Sequence, residues 1–159
     1  VEKVEEHIRD ALDAGATIVS GGNRHQLGGT FFQHTVIANV TANMKVAREE
    51  TLGPLAPLLR FNNDDQGIEL AIDTEFGLAS YFYSRDIGRI WHVAEALEYG
   101  IVGINAGIIS TEVAPFGGVK QSGIGREGSH YGLDEFLEAV NAALVVELLE
   151  KSHVIRAFI

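Results

Sequence analysis

Pro115-Phe116-Gly117-Gly118-Val119-Lys120-Gln121-Ser122-Gly123-Ile124-Gly125-Arg126-Glu127-Gly128 sets five glycines, a lysine, an arginine and a glutamate into fourteen positions with almost no aliphatic run. Glycine-rich, charged sequence of that kind forms neither an ordinary helix nor a core strand, so the stretch reads as a shaped loop. Its last six residues spell G-x-G-x-x-G. A dinucleotide fingerprint needs a strand delivering the chain to the glycine turn and a helix beginning at its end, which aims N–H groups at the pyrophosphate. Here Gly118-Val119-Lys120-Gln121-Ser122 precedes it, too polar and glycine-rich for that strand. The ribose-binding acid expected about 20 residues later falls within residues 134–147, inside an expected helix rather than at a strand end. The glycines therefore serve another purpose.

Outward from this loop the sequence alternates strand and helix signals, which indicates α/β layering. Upstream lies the loop of residues 106–114, and before it Ile101-Val102-Gly103-Ile104-Asn105, a short apolar run of the buried-strand kind. Asp86 caps a helix lined by Ile87, Ile90, Val93, Ala94 and Leu97 and stopped by Gly100. Residues 78–83 form a strand by composition, and Asn62-Asn63-Asp64-Asp65 caps a further helix carrying Ile68, Leu70, Ala71 and Ile72. Residues 55–61 are extended, with Pro54 and Pro57 keeping that run at an edge. Residues 44–47 read as a short strand and 48–54 as a charged turn. Residues 31–40, rich in aromatic and β-branched side chains, are extended, and 23–30 form a surface loop. Val4, Ile8, Ala11 and Leu12 mark an amphipathic helix over residues 1–14, followed by a strand at 16–19. Downstream, residues 133–149 read as a helix.

The 159 residues suit one domain or one piece of a larger one, and 46% hydrophobic with 21% charged residues argues against disorder. A net charge of −10 speaks against a nucleic-acid surface, which needs clustered lysine and arginine, and is ordinary for a cytoplasmic protein. No run approaches the roughly 18 apolar residues of a membrane span. Zero cysteines remove disulfides, thiolate metal sites and a cysteine nucleophile from this chain. Six histidines show no pair at metal-ligand spacing with a nearby carboxylate, so a structural or solvent role suits each and no transition metal is expected. Ser110, Ser122 and Ser129 lack a nucleophile elbow. Adjacent Glu49 and Glu50 could act as acid and base or simply be solvated. The start, without Met and inside a helix, suggests a fragment.

Several motifs in register then point to one family. Glu49-Glu50-Thr51-Leu52-Gly53-Pro54, Phe76-Gly77-Leu78-Ala79, Gly103-Ile104-Asn105 and the opening stretch resemble the C-terminal part of an NAD(P)-dependent aldehyde dehydrogenase catalytic domain, over residues 1–138. Within that family residues 98–110 and Gly128-Ser129-His130-Tyr131-Gly132 look most like succinate-semialdehyde dehydrogenase. The resemblance implies an α/β domain with a mixed, largely parallel sheet flanked by helices. It implies attack of a cysteine thiolate on the aldehyde, hydride transfer to NAD or NADP, and hydrolysis of the thioester. The cysteine, its general-base glutamate and the nucleotide-binding domain precede such a segment, so the chain by itself is expected to be inactive.

By the same resemblance, Glu50 matches the glutamate that accepts from the nicotinamide ribose hydroxyls. Leu52 stands where the family usually has phenylalanine beside the nicotinamide, a change that forgoes about 0.5–1.5 kcal/mol of aromatic contact. Ser110 matches a serine that helps hold the substrate's distal carboxylate, or a loop-capping serine. Phe116 matches an aromatic wall of the aldehyde tunnel, or a core phenylalanine. Glu127 matches a glutamate in the proton path and Arg126 a position used in subunit contacts, with a structural ion pair the other reading of both. Lys120 and Gly123 lie where some relatives bind a monovalent cation through backbone carbonyls. A homo-oligomer and a small aldehyde are the implied partners.

Two departures stand out. His34 replaces a common proline. After Glu138 the family usually ends in a short β-rich tail that pairs with a neighbouring subunit, whereas residues 139–159 read as a divergent, helical tail. Two functions stay open: a catalytic-domain fragment of a succinate-semialdehyde-type dehydrogenase, or a non-catalytic truncated paralogue acting as an oligomerisation module.

Overall fold

The computed structural model describes residues 1–138. Helix α1 (Glu2–Asp13) buries Val4, His7, Ile8 and Ala11, the i, i+3, i+4, i+7 stripe of a helix with one apolar face. It ends where the Ala14 and Gly15 amides fold back onto the Asp10 and Leu12 carbonyls. The chain then enters β1 (Thr17–Ser20), which pairs antiparallel with β2 (Thr35–Ala38) through a bulge between Ile18 and Ser20. Strand β3 (Leu55–Pro57) lies parallel to β2 on its other side. Pro57 thus sits on an edge strand, where its missing N–H leaves no ladder bond unmade.

The central strand shows why this sheet forms. Thr35 and Ile37 are buried while Val36 and Ala38 are half-buried, so the buried face of β2 meets α1. Ala11, Ala16, Ile37, Val40, Met44 and Val46 make one core cluster; Val4, Ile8 and Phe32 make a second. Outside this core, α1 is tied by a two-pronged pair: Arg24 Nε and Nη2 each donate to a Glu5 carboxylate oxygen at 2.7 Å. That guanidinium holds the Glu5 carboxyl below the usual carboxylate range, and the Lys45 ammonium does the same for Glu6.

The strand expected over residues 44–47 is instead one helical turn, α2 (Lys45–Arg48), with Met44 as its extended N-cap. Met44 and Val46 are both buried, a spacing of two that mimics a strand over so short a run. The helix is settled from outside: the Asp10 carboxylate, on α1, accepts the Lys45 N–H at 2.8 Å.

The second half is a βαβ unit with a helix beside it. Helix α3 (Asp64–Ile72) begins where the Asn63 side chain accepts the Gln66 N–H at 2.9 Å, and α4 (Ile87–Ala96) where Asp86 accepts from the Arg89 N–H at 2.6 Å. The strand expected over residues 78–83 is β5 (Ala79–Phe82), preceded by a separate two-residue strand, β4 (Phe76–Gly77). Beyond α4, β6 (Ile101–Ile104) pairs parallel with β5 in the register Ala79↔Ile101 to Phe82↔Ile104. Arg89 donates to Asp64 at 2.7 Å and the Tyr99 hydroxyl to the Ala71 carbonyl at 2.6 Å, which fixes α3 against the unit.

Strand β7 (Val119–Lys120) lies antiparallel to β4 and so brings the glycine-rich stretch onto this half. The α/β class holds, with two parallel and two antiparallel pairings in three small sheets among the described residues. The helix expected from residue 133 is a 3-10 helix (Tyr131–Phe136), closed by i→i+3 bonds such as Leu133 N–H to the His130 carbonyl. Leu133, Phe136 and Leu137 are exposed, so no packed face stabilises a wider turn there. The rest of that expected helix, residues 139–149, and the tail to 159 lie outside the described residues. No helix among the described residues is long and apolar enough to cross a membrane.

Candidate active-site surface

The glycine-rich stretch folds into a closed loop. Phe116 and Glu127 exchange two backbone hydrogen bonds, N–H to carbonyl at 2.8 Å and 2.7 Å, and form an isolated antiparallel bridge. Directly opposed residues in such a bridge present their side chains on one face. Both line a cavity of about 490 Å³ that also involves Leu78, Ser122, Arg126 and Phe136. Phe116 is half-buried and Glu127 exposed, an arrangement that offers an apolar wall beside a solvated carboxylate.

Three side chains hold the loop's inner edge. Arg126 turns inward, its Nη1 donating to the Gly118 carbonyl at 2.9 Å and the Gly125 carbonyl at 2.7 Å. Ser122 Oγ accepts the Gly77 N–H at 2.9 Å. Lys120 places its ammonium 2.6 Å from Glu98 and donates to the Ile72 and Thr74 carbonyls at 3.1 Å and 3.3 Å. The Lys120 carbonyl, one of two atoms expected on a monovalent cation, accepts the Gly123 N–H at 3.4 Å in a turn. Among the described residues no group of three or more His, Asp or Glu side chains is arranged to hold a metal.

Gly123, Gly125 and Gly128 all have positive φ, preceded by a two-residue strand and followed by a 3-10 helix. The strand-turn-helix of a dinucleotide fingerprint is not what these glycines build. They let a loop of many reversals close on itself.

Ser110 is exposed on the loop of residues 106–114 and does not line the Phe116 cavity. Glu50 and Leu52 lie apart from it too, on the exposed turn between α2 and β3. There Glu49 is engaged, 3.7 Å from Lys3 Nζ and 3.4 Å from His7 Nε2, while Glu50 makes no ion pair among the described residues. Leu52 adopts φ +52 and leaves 83% of its surface exposed. A branched aliphatic residue in the left-handed region is a genuine outlier, of the kind that clusters at functional sites.

Two residues escaped the sequence reading. His7, for which a structural or solvent role is expected, takes the structural one in a form the sequence does not specify: it is fully buried with Nδ1 2.9 Å from Thr51 Oγ1. The signal was its place on the apolar stripe, three residues after Val4. The Lys120 side chain anchors the loop, a role that no local pattern announces.

Comparison with known proteins gives this surface its family. The family model described as "Aldehyde dehydrogenase family" matches residues 1–141. A 3-sulfolactaldehyde dehydrogenase of Pseudomonas putida is 66% identical over 138 residues, 87% of this chain and 28% of its own length. The NADP(+) succinate-semialdehyde dehydrogenase GabD of Escherichia coli K12 is 64% identical, with 87% and 29% covered. The crystal structure of succinate-semialdehyde dehydrogenase from Burkholderia pseudomallei superposes with a TM-score of 0.83 at 66% identity, over 85% of this chain and 28% of that one. The chain thus spans less than a third of the length of the relatives it matches. With motifs, fold and profile in agreement, the chain belongs to the aldehyde dehydrogenase family.

Proposed function

We propose that the protein carrying this segment oxidises a small aldehyde with a distal anionic group, succinate semialdehyde foremost, to the acid with NAD or NADP. The observation that carries the reading is the Phe116–Glu127 bridge, which sets an apolar wall and a carboxylate on one cavity in a chain of this family. Phe116 flanks the aldehyde's carbon chain and Glu127 takes part in the proton path. Ser110, on its exposed loop, donates its hydroxyl to the distal anion. The relatives named above support the substrate class, since 3-sulfolactaldehyde and succinate semialdehyde join an aldehyde to a sulfo group or a carboxylate.

The cofactor side fits an exposed acceptor. Glu50 is exposed and unengaged among the described residues, so its two oxygens can accept from a pair of ribose hydroxyls. Leu52, exposed beside it, offers an apolar contact to the nicotinamide. When bound, the dinucleotide supplies the hydride acceptor. The exposed apolar residues Trp91, Ile108 and Ile124 support a further reading, in which this surface is covered by the remainder of the protein and by a second subunit. Lys120 and Gly123, joined in one turn, are the proposed carbonyl ligands of a monovalent cation.

The test compares the full protein with the 159-residue chain, both purified, by absorbance of reduced nicotinamide with succinate semialdehyde and NAD or NADP. The full protein turns over, and Phe116→Ala raises its KM for the aldehyde. The chain alone, with no cysteine, gives no signal. Turnover by the chain alone, or a full protein indifferent to aldehydes, refutes the reading.

A further inference from the structure

The turn that carries Glu50 and Leu52 rests on one face of α1 at three points. His7 presents Nδ1 to Thr51 Oγ1 at 2.9 Å and Nε2 to Glu49 Oε2 at 3.4 Å. Lys3 reaches the same Glu49 oxygen at 3.7 Å. One step on, Gly53 lies so close to α1 that a Cβ there would collide with Cγ2 of Val4. The imidazole has no exposed surface, whereas Glu50 and Leu52 on the turn's far side are both exposed.

The protons of this contact can be assigned. A carboxylate only accepts, so Nε2–H donates to Glu49. In the neutral tautomer this leaves the Nδ1 lone pair to accept the Thr51 hydroxyl proton. The imidazole therefore reads two successive features of the turn, Glu49 on one nitrogen and Thr51 on the other, and Glu50 is the residue between them. Held at both flanks toward α1, the turn has its middle residue facing away into solvent. The same clamp lies one residue before Leu52 at φ +52, a conformation that persists only where its surroundings hold it.

We infer that His7 is a positioning residue for dinucleotide binding: from α1, through Thr51 and Glu49, it fixes the turn on which Glu50 meets the nicotinamide ribose. The inference rests on the reading of Glu50 given above. It assigns a role to a helix that does not line the proposed aldehyde cavity, and it makes Thr51 the hydroxyl through which that helix acts.

The experiment uses the full protein and three variants. Thr51→Val keeps the shape and removes the hydroxyl, Thr51→Ser keeps the hydroxyl, and His7→Gln keeps a buried polar group without the two-nitrogen clamp. Two quantities are read: KM for the dinucleotide against kcat at saturating aldehyde, and amide hydrogen exchange of residues 49–53 with β2 as internal reference. Loss of one neutral hydrogen bond raises KM for the dinucleotide roughly five- to tenfold in Thr51→Val and in His7→Gln, with kcat within about twofold of wild type. Exchange at 49–53 accelerates by a similar factor while β2 keeps its protection. Thr51→Ser returns both to near the wild-type value.

Faster exchange with an unmoved KM overturns the cofactor role and leaves only a structural tether. Unchanged exchange in both Thr51→Val and His7→Gln overturns the tether as well. Acceleration in β2 equal to that at 49–53 marks a general loosening and also counts against the inference. A wild-type protein that oxidises no aldehyde refutes the proposed function instead, and the exchange arm still decides whether His7 holds the turn.

Discussion

Replacing Gly100 by alanine tests whether the glycine-rich loop is positioned by backbone contact. Gly100 opens β6, its N–H donating to the Gly77 carbonyl at 3.0 Å while Ile101 N–H donates to the Leu78 carbonyl at 3.1 Å. A Cβ on Gly100 would land on the Gly117 carbonyl oxygen, with Gly117 C and Gly118 Cα both 2.9 Å away. Carbon atoms sit comfortably at about 3.5–4.0 Å, so the loop must retreat by roughly 1 Å. Every opposing atom is backbone, and no rotamer change relieves the clash.

Retreat is resisted from the far side. Arg126 Nη1 grips the Gly118 carbonyl at 2.9 Å, and Val119 is paired with Gly77 in the β4–β7 ladder. Overpacking of about 1–3 kcal/mol, with weakening of a charge-assisted bond of similar worth, sets the expected destabilisation near 3 kcal/mol. Native-state amide exchange reads it where it acts. The Phe116 and Glu127 amides, which close the loop at 2.8 Å and 2.7 Å, lose about 100-fold of protection.

Gly123→Ala is the control. That residue has φ +105 but no atom within 4 Å of an added Cβ, so only the left-handed backbone is penalised, by roughly 1 kcal/mol. Its effect on the same two amides stays below about tenfold. Should Gly100→Ala leave Phe116 and Glu127 as protected as in wild type, or match Gly123→Ala, the close-approach argument is wrong.

Lys120→Met removes an ammonium bound to two carbonyls and Glu98, on a side chain that is 25% exposed; the urea midpoint should fall by an amount equivalent to about 2 kcal/mol with the slope unchanged. An unmoved midpoint would show that water replaces these contacts without loss. Carboxyl NMR titration of Glu5 should give a value below the ordinary carboxylate range, returning toward it in Arg24→Ala. Because the folded value is the depressed one, this pair's contribution is present above the ordinary carboxylate pKa and fades as pH falls through the depressed value. A Glu5 titration identical in wild type and Arg24→Ala would show that the pair does not persist in solution.

What was legible in the sequence was what is local. The stripe Val4, Ile8, Ala11 declares α1, and Asn63 and Asp86 announce two helices because a cap is decided within three residues of itself. Met44 to Ala47 misled because its cap comes from Asp10, 35 residues away, while its two buried residues imitate a strand. Residues 131–136 became a 3-10 helix for want of a face to pack on, a fact about neighbours and not about the segment. For the candidate site, family motifs named Glu50, Phe116 and Glu127. Only the fold shows that Phe116 and Glu127 face each other across one bridge while Glu50 stands elsewhere, behind a buried histidine.

Those two parts of the surface meet at the C-terminus of α3. A helix C-terminus carries unpaired carbonyls and partial negative charge, and α3 has no basic residue in its own last turn to answer them. The cations come from both site segments. Arg48, adjacent to Glu49, places Nη2 3.0 Å from the Asp73 carboxylate and Nη1 3.5 Å from the Asp73 carbonyl. Lys120, inside the glycine-rich loop, takes the Ile72 and Thr74 carbonyls on either side of that residue. Three consecutive residues thus bind the base of the turn that carries Glu50 and the base of the glycine-rich loop. The end of α3 thus supplies the acceptors that anchor Arg48, beside Glu49, and Lys120, within the glycine-rich loop.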